Sequence, residues 1–170
     1  MQYLATWITD LRPQDWKPVM APHLAAALRH AIGRGQYTQA ARFVLGSNET
    51  LDRAGAWVDL RALWQQLTGP AIPETVRAPA LHQVGIYDQF LGDYDAALAR
   101  YQQSLEILEE SGDRAGMAGS HHHLGMIAEL RGDYDTAVGR YQQSLEIKEE
   151  LGDRAGMASS YGQLGLLAES

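Results

Sequence analysis

Apolar residues in the second half of the chain recur every three or four positions. After Asp93 they fall at Ala97, Leu98, Tyr101, Leu105 and Leu108, a spacing that sets them in one stripe along a helix of about five turns. Such a stripe must be buried against a neighbour. The spacing predicts that this helix stops near Ser111-Gly112, where glycine accepts the left-handed conformation, and that Asp113 caps the next helix. Met117, His121, Leu124, Ile127 and Ala128 continue the pattern until Gly132-Asp133 repeats the punctuation. No proline follows Pro79, in keeping with an all-helical run.

The pattern is a repeat. Gly92 to Ala118 and Gly132 to Ala158 align over 27 positions and differ at five, 96/136, 98/138, 99/139, 108/148 and 111/151. The forty-residue register extends outward through Val84-Gly85, Leu124-Gly125 and Leu164-Gly165, and through His82 and His122. A fixed period of this kind marks a solenoid, in which each unit buries its face against the next. Each unit reads as two helices.

These residues resemble the tetratricopeptide repeat. The family's Leu-Gly pair, Gly-x-Tyr turn, small residue and aromatic are met by Leu124, Gly125, Gly132, Tyr134, Ala137 and Tyr141, and one unit earlier by Val84, Gly85, Gly92, Tyr94, Ala97 and Tyr101. Glycine and alanine at these places let two helices approach closely while the tyrosines fill the space between units. The resemblance covers roughly residues 78 to 170, with a period longer than the common form of about 34 residues. That length is similar to the long-helix subclass of kinesin light chains, spindle adaptors and the sensor arrays of bacterial STAND-type signalling ATPases. It implies an all-α fold, a solenoid of helical hairpins forming a right-handed superhelix.

Before the regular units the pattern decays. Leu24 to Ile32, then Gly33-Arg34-Gly35-Gln36-Tyr37 and Ala40, has the form of one degenerate unit, and Asp52 to Trp57 leading into Leu60, Leu63, Trp64 and Leu67 that of half another. Thr68 to Pro73 interrupts any helix. The expected organisation is therefore a degenerate helical packing region over 1–72 and an array over 73–170, comprising two full units and the first helix of a third. That last helix leaves Leu164, Leu166 and Leu167 uncovered, which predicts either a longer chain or pairing with a second copy as a homo-oligomer.

Charge sharpens the division. Residues 1 to 91 carry eight Lys+Arg against seven Asp+Glu, whereas residues 92 to 170 carry six against fourteen, a balance of −8 within a total of −7 for the 170-residue chain. Nucleic acid is a poor partner for a surface on which cations are so outnumbered. No apolar run approaches the ~20 residues of a membrane span. The acids and prolines of the first twenty residues do not suit a secretory signal, and the absence of cysteine removes disulfides and thiolate chemistry. A cytoplasmic protein with no membrane partner is expected.

Catalytic chemistry finds little support. The triplet His121-His122-His123 lies on a predicted helix, where consecutive side chains diverge by about 100°, so three adjacent imidazoles cannot converge on one metal ion. His82 and His122 occupy equivalent positions on successive units, too far apart to share one ion. No phosphate-binding G-x-x-x-x-G-K-[ST] and no G-x-S-x-G elbow occurs. Glu106, Glu109, Glu110, Glu146, Glu149 and Glu150 fall on the outer helix among Arg and Gln, as a solvated face. No enzyme activity and no cofactor are expected.

The resemblance implies instead a concave groove, lined by the first helix of each unit, that receives a protein partner as an extended peptide or a helix. Carried to this sequence, the groove set is His82, Gln83, Ile86 and Gln89, then His122, His123, Met126 and Glu129, then Gln163 and Leu166. The related clamp for a C-terminal carboxylate uses lysine, arginine and asparagine at such positions, whereas His, Gln and Met here suit apolar anchors. The sensor portion of a larger STAND-type regulator, binding a small molecule or a partner, and a structural self-association element are the alternative readings.

Overall fold

The computed structural model describes residues 18–168, and all the regular secondary structure among them is helical. After a single 3₁₀ turn at Pro18–Met20 come α1 (Ala21–Gly33), α2 (Tyr37–Arg53), α3 (Trp57–Gln65), α4 (Glu74–Phe90), α5 (Tyr94–Ser111), α6 (Arg114–Leu130), α7 (Tyr134–Leu151) and α8 (Arg154–Ala168). They fall into two compact units, Met1–Asp93 and Tyr94–Ser170. The expectation of helices from the start of the chain lies, for residues 1–17, outside the described residues.

Glycine sets the punctuation. Gly35, Gly55, Gly92, Gly112, Gly132 and Gly152 all adopt φ between 68° and 82°, the left-handed region that other residues enter at a cost. At Gly112 the closure is of the Schellman type, the following Asp113 N–H returning to Leu108 O at 3.0 Å. Asp113 then caps α6, its carboxylate accepting from Gly116 N at 3.0 Å, and Asp133 does the same for α7 through Thr136 N at 3.2 Å. The stop and cap read from the sequence are both present.

In the first unit α1 and α2 form the degenerate hairpin and α3 packs on both. Its core gathers Leu24, Leu28, Val44, Leu51, Leu60, Leu63, Trp64, Leu67, Val84 and Tyr87, all buried. The break read at Thr68 to Pro73 separates α3 from α4. α4 starts at Glu74 and contains Pro79. One hydrogen bond, from residue 79 to the Thr75 carbonyl, is forfeited, while Pro73 at the N-cap starts the helix.

In the second unit α6 packs between α5 and α7, and α7 between α6 and α8. Ala97, Tyr101, Leu105 and Leu108 of the predicted stripe are buried. The Tyr141 ring lies against the Gly125 backbone so closely that a Cβ there would come within 2.8 Å of the ring. Ala137 is fully buried beside it. The Ser144 hydroxyl donates to the Ala118 carbonyl at 2.8 Å, tying α7 to α6.

Candidate partner-binding face

The site is built on α6, where the histidine triplet sends its three rings in different directions, as helical geometry requires. His121 is buried and turns toward α7, with Arg140 Nη1 3.3 Å from its Nδ1. His122 sets its ring against Tyr141, centroids 5.4 Å apart. His123 stacks on Tyr101 of α5 at 5.0 Å. Among the described residues no three His, Cys, Asp or Glu side chains gather as a metal-ligand set.

Their electrostatics follow from these surroundings. Burial, reinforced by Arg140 and Arg114, lowers the His121 pKa to about 4, so its imidazole is neutral at pH 7. Burial and then Lys148 also hold His122 below the usual histidine range, with Glu129 opposing them. His122 Nδ1 is buried without a hydrogen-bond partner, a polar group the protein leaves unsatisfied. Glu129 accepts the Tyr141 hydroxyl at 2.7 Å, and burial followed by this bond pushes the phenol pKa up. The carboxylate is thereby committed to the α6–α7 contact.

The predicted residues thus divide. His122, His123, Met126 and Glu129 are half-buried on α6. Met126 packs, with Leu164 and Leu167 of α8, on the cluster of Ala128, Ala137 and Tyr141. Two of the three leucines read as uncovered are therefore partly buried, while Leu166 is 63% exposed. Gln163 is half-buried on α8. His82, Gln83, Ile86 and Gln89 are half-buried on α4, within the first unit, and burial lowers the His82 pKa to about 4. All six predicted outer-helix glutamates are exposed, although Glu150 pairs with Arg114 and Glu149 accepts the Tyr161 hydroxyl at 2.9 Å.

One residue of this region was not singled out by its chemistry in the sequence. Lys148 takes the place of Leu108 in the preceding unit, is buried, and donates to Ser160 Oγ on α8 at 2.9 Å. Desolvation lowers its pKa, with Asp153 opposing. Position 108/148 is among the five differences between the repeats, and that change of polarity within a buried stripe was the available signal.

Antiparallel helices joined by glycine turns, repeated at a fixed period with a ring seated on a glycine, define a helical-hairpin repeat protein. The chain belongs to the tetratricopeptide repeat family, whose profile matches residues 76–150 and 116–170. Repeats of this family generally mediate protein–protein interaction. Among solved structures it is similar to the crystal structure of BtubC (BKLC) from P. vanneervenii, with a TM-score of 0.70 and 18% identity over 88% of this chain and 63% of that one. The chain therefore spans less than two thirds of that protein's length, and at this identity the likeness is one of fold. No curated protein sequence matches it.

Proposed function

We propose that the chain is a non-enzymatic interaction module that receives an extended peptide or a partner helix on the face carried by the first helices of its repeats. The observation that supports this most is the segregation on the second unit. The acids Glu106, Glu109, Glu110, Glu146, Glu149 and Glu150 lie on α5 and α7, whereas α6 and α8 carry the half-buried His122, His123, Met126 and Gln163 and the exposed Leu166. A surface of imidazole, thioether and amide beside an exposed leucine, with the Glu129 carboxylate bound to the Tyr141 hydroxyl, suits a ligand with hydrophobic anchors. His82, Gln83, Ile86 and Gln89 take the equivalent role on α4, with residues 1–72 serving as packing and 73–170 as the binding array.

Selection from a displayed peptide library on the wild-type protein supplies a ligand for the test. Gln163→Glu and Leu166→Glu, both placed where folding is little affected, are expected to weaken that ligand tenfold or more, and His122→Glu further. Ligands that bind all three folded variants as well as wild type would refute the face assignment.

The exposure of Leu166 and of Tyr161, 63% and 53%, supports a second reading, that α8 pairs with α8 of another copy. Light scattering at two protein concentrations then shows a mass that grows toward a dimer. A monomer mass independent of concentration contradicts it.

A further inference from the structure

The second unit contains a cavity of about 210 Å³ bounded by α5, α6 and α7. Its lining combines the apolar Leu98, Leu124 and Ile127 with Arg131, Arg140, Gln102, Thr136 and Asp133, the last of which already accepts from Thr136 N as the cap of α7. At the ~30 Å³ that a water occupies in the liquid, the space holds about seven non-hydrogen atoms. It belongs to a different set of residues from the proposed peptide face, and the two proposals stand or fall separately.

The two guanidinium groups are not equivalent. Arg131 pairs with Asp95, whose side chain is 94% exposed. Arg140 has no carboxylate partner among the described residues. Its Nη1 donates to Gln143 Oε1 at 3.2 Å and lies 3.3 Å from His121 Nδ1. The buried, neutral imidazole orients the guanidinium without neutralising it. A cation with no ion-pair partner among the described residues is unusual in a segment with fourteen acids and six bases. It lines the same space as Leu98, Leu124 and Ile127, so a ligand with its hydrocarbon on these residues can place a carboxylate in a charge-assisted hydrogen bond with the guanidinium.

We propose that this cavity binds a small branched aliphatic carboxylate, the hydrocarbon against Leu98, Leu124 and Ile127 and the carboxylate on the Arg140 guanidinium. Isovalerate has the size and chemistry to serve as the probe, and isovaleramide is its uncharged isostere. Gln102 and Thr136 supply further hydrogen-bonding groups in the lining. Arg131 contributes less, because Asp95 already compensates it.

The test is a titration of the whole chain, methyl-labelled at leucine and isoleucine, followed by NMR. Isovalerate is expected to shift the Leu98, Leu124 and Ile127 methyls saturably, and isovaleramide at least tenfold more weakly. Arg140→Gln is expected to weaken isovalerate tenfold or more, while Arg140→Lys, which keeps the charge and serves as the folding control, retains part of the affinity. The proposal is overturned by the absence of a saturable shift up to about 10 mM, by equal binding of acid and amide, or by undiminished binding to folded Arg140→Gln. A short peptide ending in a valine carboxylate that binds where isovalerate does not would also overturn it, assigning the cavity to a peptide terminus.

Discussion

In the first unit leucine, valine, phenylalanine and tryptophan dominate one buried cluster, with Leu28, Val44, Leu51, Leu60 and Leu67 at zero exposure and the polar Ser47, Thr50 and Asp88 also buried. In the second, Ser104, Ser120, His121, Ser144, Lys148 and Ser160 are buried among the apolar residues, and a tyrosine ring rests directly on a glycine. The first arrangement draws on apolar area, which tolerates irregular helix lengths and a degenerate sequence. The second draws on close approach and hydrogen bonds, which demand particular residues at particular places. Irregular sequence in one half and near-identity of repeats in the other accompany these two modes of packing.

The largest separation between them should come from truncating the aliphatic core. Leu60→Ala is expected to destabilise by about 2–5 kcal/mol, read by denaturant unfolding. Filling the glycine seat comes next: Gly125→Ala places a methyl within 2.8 Å of the Tyr141 ring and should cost about 1–3 kcal/mol. Gly165, its equivalent forty residues on, has nothing within 4 Å of the same Cβ position. Gly165→Ala should therefore be neutral, or stabilising by up to about 1 kcal/mol through helix propensity. Equal effects at the two glycines would break the account of how the repeats pack.

Acid should act through buried histidines in each unit. Folding lowers His121 and His82 to about 4, so as pH falls the unfolded chain takes up these protons first. Their contribution is intact above about pH 6.5 and is lost progressively toward pH 4, a loss on the order of 3 kcal/mol for each. His121→Leu, which installs the residue found at position 81, should flatten part of the pH profile of the melting temperature. A smaller effect is expected at Lys148. Because folding lowers its pKa, the unfolded chain holds that proton more tightly, and stability rises as pH climbs toward the ordinary lysine value of 10.5. Lys148→Leu, restoring the residue at position 108, should stabilise at pH 7 by about 1 kcal/mol and remove this alkaline rise.

Much of the second unit was legible because its signals are local. Gly112 followed by Asp113 specifies a stop and a cap within two residues, and the forty-residue spacing of Gly125 and Tyr141 from their counterparts indicates a ring seated on a helix. The degenerate hairpin around Gly35 was readable for the same reason. Pro79 inside α4 was not, since a lost hydrogen bond near a helix start is tolerated when the following turns pack well. Nor does helical periodicity say which neighbour covers each ring of the histidine triplet. His121 meets Arg140, His122 meets Tyr141 and His123 meets Tyr101 only because α5 and α7 flank α6. The cavity beside Arg140 needs three helices to exist and leaves no trace in the spacing of any one.

The central claim, that ligands engage the first-helix face, is tested most directly by mapping a selected peptide on the isotopically labelled protein by NMR. The account predicts that the perturbed residues centre on His122, His123, Met126, Gln163 and Leu166, with Glu106, Glu109 and Glu110 unaffected. A footprint centred on the acidic outer faces of α5 and α7 instead would contradict it.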